Sequence, residues 1–182
     1  MKHLPPAIIL ALFLYTPALG HDAEQHRTDE PESKAYILRS GMGEALFNGL
    51  VVKASPRSGT EGAILVEQTF RRGEGTSLHV HDQGDELFYV VAGRGEATLG
   101  KHDAPIAAGD VIFAPRGAVH AIRNEAGEVP LVVVFFMDSP ELVRQFRAVH
   151  ERRQAHPDTP LTPEEMAEIE HIFGGAREVG RR

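Results

Sequence analysis

From residue 35 to residue 137 the chain is a succession of short β-prone runs cut by turn clusters, and no other feature limits its fold as much. AYILRS, FNGLVVKAS, AILVEQTF, TSLHVH, ELFYVV, GEATLG, DVIFA, VHAIRN and PLVVVFF follow one another, divided by clusters such as SPRSGTEG, RRGEG and HDQGD. Short runs rich in Val, Ile and Phe, with no helical period between them, predict an all-β domain built as an antiparallel sandwich or barrel. The 18 Gly and 12 Pro supply the turns that so many strands require. Alternation is clearest in AILVEQTF, where Ile64, Val66 and Phe70 share one face. Gln68 falls on that face too, either as a polar group of a pocket or as a sign that the register is misread.

After Asp138 the period becomes helical. Ser139-Pro140-Glu141 reads as a cap with Pro at the first helical position, followed by Leu142, Val143, Phe146 and Val149 at helical spacing. A second start, Thr162-Pro163-Glu164-Glu165, has the form of a capping box, and Gly174-Gly175 ends that helix. Met166, Ile169 and Phe173 form its apolar stripe. Both stripes are expected to pack against the β domain rather than bind a ligand. The expected layout is a β domain over 46–138 with a short helical tail over 139–182.

The N-terminus is a separate matter. Lys2 and His3 precede an uncharged run from Leu4 to Leu14, and Ala18-Leu19-Gly20 offers a small-x-small exit. Together these predict a signal peptide over 1–20 and an exported, periplasmic or secreted protein. The apolar run is too short to span a bilayer comfortably, so no membrane association is expected after cleavage. Residues 21–33 are polar and aperiodic and are expected to form an arm, with the first strand reached by residue 45. No cysteine is present, which excludes disulfides and cysteine-linked lipid. A net charge of −7 gives no basic face for phosphates, so nucleic acid is excluded as a partner.

The chemistry lies in His79-Val80-His81. On a strand, side chains two apart share a face, so both imidazoles can converge on one point, as a metal of borderline softness requires. Glu86 opens the next run after HDQGD, and a hairpin there would bring its carboxylate beside the histidines. His120 follows the turn Pro115-Arg116-Gly117 and could close the set from across a barrel. Four candidate ligands for one divalent metal result: His79, His81, Glu86 and His120.

Their spacing is specific. Gly73, His79-x-His81, Glu86 and Gly93 are separated by five, four and six residues. Gly109, Pro115-x-Gly117, His120 and Asn124 are separated by five, two and three. The two sets resemble the paired motifs of the cupin superfamily at every defining position. Five fixed positions arise by chance about once in 10⁶ windows, given near-average residue frequencies. The resemblance spans about residues 46–137.

It implies a jelly-roll-like antiparallel β-barrel in which three His and one Glu bind iron, manganese, nickel, copper or zinc. The order of one barrel, SPELVRQFRAVHER and a Thr-Pro-Glu-Glu helix is similar to single-domain quercetin dioxygenase-like cupins. On that resemblance the leading expectation is a metal-dependent oxygenase for a small organic substrate bearing an enol or hydroxyl. Glu86 would then be a ligand or a catalytic proton acceptor. A redox-neutral lyase or isomerase, and a non-catalytic periplasmic cupin holding a metal or small ligand, stay open, because one fold hosts many chemistries. A homodimer also stays open.

Gln68, Tyr89 and Phe113 are the further pocket candidates, although Tyr89 alternates away from Glu86 and Phe88. Gly93 and Gly109 are expected in turns of positive φ, and Asn124 as a partner for backbone groups. His102, His150, His156 and His171 are expected to be solvated. His21, as a mature N-terminus, could chelate copper with its amine, but nothing else supports that role.

Overall fold

The computed structural model describes residues 35–125 and 127–179. The expected signal peptide over 1–20, the arm over 21–33 with His21, and the terminal Arg181-Arg182 lie outside the described residues. The strands, in chain order, are β1 (Glu44–Ala45), β2 (Leu50–Ala54), β3 (Ile64–Phe70), β4 (Glu74–Gly75), β5 (His79–Val80) and β6 (Glu86–Ala92). They continue with β7 (Arg94–Leu99), β8 (His102–Ala107), β9 (Val111–Ala114), β10 (His120–Asn124), β11 (Leu131–Met137) and β12 (Arg177–Glu178). Two helices, α1 (Pro140–Ala155) and α2 (Pro163–Phe173), separate β11 from β12.

One antiparallel sheet runs β1-β2-β3-β11-β6-β9, and the other runs β12-β5-β10-β7-β8 with β4 also on β10. Alternation decides which side of each strand is buried. Ile64, Val66, Gln68 and Phe70 of β3 face inward with Leu131, Val133, Phe135 and Met137 of β11. Ala97, Ile106 and Ile122 of the second sheet complete the same hydrophobic core, so the sheets stack face to face. Among the described residues no ladder joins the two sheets, so hydrogen bonding does not close the expected barrel.

Three local expectations are corrected. AYILRS forms no strand: Tyr36, Ile37 and Leu38 are exposed, and β-propensity without a sheet face to cover is not enough. HDAPIA, absent from the expected strands, is the strand β8, because Ala104 and Pro105 pair with Ala97 and Glu96 at the sheet edge, where Pro is tolerated. HDQGD is not a hairpin. It carries the chain from β5 in the second sheet to β6 in the first.

The signals of α2 act as read, whereas Ser139 holds the N-cap position of α1 without a side-chain capping bond. Thr162 accepts the Glu165 N–H at 3.2 Å, and the Glu165 carboxylate accepts the Thr162 N–H at 2.9 Å. Gly174 then leaves α2 in the left-handed conformation, φ 64°. Gly93 turns β6 into β7 with φ 83°, and a Cβ there would meet the Pro130 carbonyl oxygen at 2.3 Å.

Asn124, fully buried, donates to the carbonyls of Phe70 (3.0 Å) and Val129 (3.1 Å) and accepts the Gly127 N–H at 2.9 Å. It thereby ties β10 to the loop before β11. Asn124→Ala leaves buried main-chain groups without partners and should cost about 2–4 kcal/mol in urea unfolding. A loss under about 0.5 kcal/mol, the range of ordinary surface substitutions, would mean that those groups find other partners.

Candidate metal centre

His79 opens β5 and His120 opens β10, and the antiparallel register places them directly opposite each other. His120 is therefore a neighbour of His79 in one sheet rather than a group reaching across, as the sequence suggested. The group that reaches across is Glu86, at the start of β6 in the facing sheet. His81, one residue past β5, retains the i, i+2 relation to His79. The ring centroids of His79, His81 and His120 lie 4.3 to 5.3 Å apart. One donor atom from each histidine and one from Glu86 all fall within 4.8 Å of one another.

Backbone carbonyls orient the rings. The carbonyls of Ser77, Gly175 and Ala118 lie 2.9, 2.5 and 2.9 Å from the Nδ1 atoms of His79, His81 and His120 respectively. A carbonyl can only accept, so each Nδ1 must carry the proton, and each neutral ring then keeps its lone pair on Nε2. His81 and His120 both bring Nε2 to Glu86 Oε2, at 2.9 and 2.8 Å. The His81 contact does not meet hydrogen-bond geometry, which leaves its Nε2 a buried polar atom without a true partner.

This donor set fits a divalent metal. Ligands about 2.1 Å from a metal are at most about 4.2 Å from one another, so the present cluster needs only a slight contraction. Three Nε2 lone pairs and one carboxylate suit iron, manganese, nickel, copper or zinc rather than calcium. The carbonyls behind Nδ1 are the outer shell that histidine ligands commonly require.

Charge within the cluster is uneven. Burial pushes His79 down, the other histidines add to that, and its pKa falls to about 4. Burial also opposes charge on His81, but the contact and negative charge of Glu86 outweigh it and hold His81 above its ordinary value. For Glu86 burial works against ionisation, yet His120 and His81 prevail and bring it to about 2. Without metal, Glu86 is thus a carboxylate held ionised by His120 and His81.

His79, His81 and Glu86 line a cavity of about 450 Å³, whose walls include Phe47, Phe70, Phe88, Phe135 and Phe146. Gln68 is a pocket group: it is 7% exposed, lines this cavity, and donates to the Asn48 carbonyl at 2.6 Å. Tyr89 and Phe113 face outward, at 51% and 52% exposure, so the nomination of Phe113 for the pocket is withdrawn. It sits one residue off the inward register of Ile112 and Ala114. His102, His156 and His171 are exposed, whereas His150 is half-buried against Gln154.

The helical tail does more than pack against the sheets. Leu142, Phe146, Val149 and Met166, read as packing stripes, line the cavity together with Ala176 and Glu178. β12 pairs with β5, and the Gly175 carbonyl reaches His81. One signal was available: Gln145 shares the α1 face of Leu142 and Val149, and a polar residue inside an apolar stripe asks for a partner.

The Cupin domain family matches residues 66–137. The chain is 30% identical over 109 residues to an uncharacterized protein of Methanocaldococcus jannaschii, covering 59% of this chain and 82% of that protein. It is 30% identical over 87 residues to the oxalate-binding protein of Thermotoga maritima, covering 48% of this chain and 70% of the other. A crystal structure of a predicted oxalate decarboxylase from Thermotoga maritima aligns at 25% identity with a TM-score of 0.46, over 50% of this chain and 78% of that one. The match over the segment that carries three His and one Glu, together with the two relatives covered over most of their length, makes the chain a member of the cupin superfamily.

Proposed function

We propose that this protein is a metal-dependent oxygenase for a small organic substrate with an apolar body and an enol or hydroxyl oxygen. The observation that carries the proposal is that the three-His, one-Glu cluster meets an aromatic cavity through His79, His81 and Glu86, which line its wall. A redox-active metal held by His79, His81, Glu86 and His120 would supply Lewis acidity and an electron path to O₂. The phenylalanine walls exclude water and bury an apolar body, while Gln68 offers a fixed polar group beside it. A carboxyl with a pKa of about 2 is a weak base, which favours Glu86 as a ligand over Glu86 as a proton acceptor. The cupin reading of the two stacked sheets as the walls of one jelly-roll barrel belongs to the same proposal.

Oxygen uptake is to be measured with natively bound metal across flavonols, catechols and other enols, with His81→Ala as the blank. At least one compound should consume O₂ at a rate ten or more times that of the blank. Turnover of a compound without O₂ would replace the proposal by a redox-neutral lyase or isomerase, and zinc as the native metal would point the same way. The name of the Thermotoga maritima relative favours one second reading, a non-catalytic binder of a small ligand. Tight binding without turnover would establish it.

A homodimer is part of the proposal. Leu65, Phe136, Leu87 and Phe113 form one exposed row across β3, β11, β6 and β9, with Tyr89 and Val111 paired in the next row. These six side chains are 37% to 63% exposed and adjoin one another, a contiguous apolar patch of the kind that marks an interface. Light scattering should give twice the chain mass, and Phe113→Glu with Leu87→Glu should restore the monomer. A monomeric unsubstituted protein would remove the dimer from the proposal.

A further inference from the structure

We infer that Gln145 is a positioning residue for the metal centre, acting through the main chain of Gly175 and Ala176 on His81. The inference rests on the metal-centre reading above and concerns a part of the chain outside the two cupin motifs. Gln145 lies on α1 and is only 5% exposed. Its Nε2 donates to the Ala176 carbonyl at 3.1 Å, and its Oε1 accepts the Ala176 N–H at 2.8 Å. Both ends of one buried amide are thus spent on a single residue of the segment after α2, as a neighbouring strand would spend them. The adjacent carbonyl, that of Gly175, accepts the His81 Nδ1–H at 2.5 Å.

Space fixes the same segment from the other side. Gly175 is buried, and a Cβ on it would stand 2.4 Å from the Leu142 Cα and 2.7 Å from the Leu142 nitrogen. Main chain lies against main chain there, with no flexible side chain to give way. The segment then runs into β12, where Arg177 and Glu178 pair with Val80 and His79, and the Glu178 carboxylate accepts the Ser77 hydroxyl at 2.7 Å. Ser77 in turn supplies the carbonyl that orients His79. The tail after α2 therefore holds the outer side of two ligands, and Gln145 with Gly175 fixes where its carbonyl stands. A displaced carbonyl frees the His81 ring to rotate or change tautomer, and its Nε2 lone pair no longer faces the four-donor cluster.

The test uses the full chain with Co²⁺ as the probe metal. Gln145→Met keeps volume and removes both hydrogen bonds; Gly175→Ala forces the segment off α1. Loss of an outer-shell partner commonly weakens metal binding 10- to 100-fold. Gln145→Met should therefore weaken Co²⁺ binding about tenfold and Gly175→Ala at least as much, each with a changed d–d absorption spectrum. Gln145→Glu, which keeps the bond from the Ala176 N–H, should fall between Met and the unsubstituted chain.

Arg147→Met is the control for mere destabilisation. It breaks the ion pair between Arg147, on the same helix as Gln145, and Glu44 of β1, and should lower stability while leaving the Co²⁺ spectrum as it was. A second readout needs no metal: the His81 Nδ1 proton, observed by ¹⁵N-edited NMR, should be protected from exchange in the unsubstituted chain and lost in Gln145→Met. Unchanged affinity, spectrum and protection in folded Gln145→Met would overturn the inference. If the unsubstituted chain binds no divalent metal, the metal-centre reading falls, and proton protection alone decides the positioning role.

Discussion

The His120→Ala variant is expected to lose its metal while its sheets remain folded. His120 sits opposite His79, 2% exposed, with Nε2 2.8 Å from Glu86 Oε2. Removing the ring takes away one of four donors and one of the two imidazoles that hold Glu86 ionised. Affinity should fall well beyond the 10- to 100-fold typical of losing an outer-shell partner. A metal at a hundred times its dissociation constant stabilises a fold by about 2.7 kcal/mol, and the variant should lack that contribution. Metal analysis after purification should show one ion per unsubstituted chain and nearly none in the variant. Added chelator should narrow the gap in melting temperature between the two. One tightly held ion per variant chain would be incompatible with His120 as a ligand.

Acid should act on the metal-free protein in two stages with different signs. His79 has a folded pKa of about 4, below its ordinary 6.5, so the unfolded chain takes up that proton first and stability falls as pH drops from 6.5 to 4. His81 is raised, so its contribution is complete below 6.5 and is lost as pH rises through its folded value. Between pH 6.5 and 4.5 the His79 limb acts without opposition from His81, and stability should fall by up to about 1.4 kcal/mol per pH unit. Glu86 then dominates. Its pKa of about 2 against an ordinary 4.5 gives stability above pH 4.5 that disappears as pH falls toward 2. Each proton taken up on unfolding is worth about 1.4 kcal/mol per pH unit, so the fall begun by His79 should continue below 4.5 through Glu86. Glu86→Gln should remove the limb between about pH 4 and 2 in pH-dependent urea unfolding; if that limb survives, another group carries it. The metal-loaded protein adds a third effect, since His81 must release its proton to ligate, and uptake near neutral pH should release protons to the buffer.

The four candidate ligands were legible because strand geometry is local. His79 and His81 share a face by the two-residue repeat alone. Asn124 and Gly93 were legible for similar reasons, one as a short amide at a turn and the other as a residue needing positive φ. Gln68 could be placed only as one of two alternatives, because a polar residue on an apolar face has meaning only once the opposite wall is known. The hairpin at HDQGD failed for the same reason. Five turn-forming residues can reverse a chain within one sheet or carry it to another, and only long-range pairing of β5 with β10 and of β6 with β11 selects between them.

By itself the sequence determined the antiparallel β class and the helical ends, which follow from periodicity and turn chemistry, and it named the four candidate donors through motif spacings that resemble those of cupins. Tertiary structure alone decided that Glu86 meets the histidines from the facing sheet. It also decided that the sheets stack without a closing ladder, and that Gly175 and Gln145 stand behind His81. Those contacts join residues 31 to 94 positions apart, as Gln145 to Ala176 and His81 to Gly175 do. Over such separations no local period links the partners, and the pairing is set by which faces can be buried together.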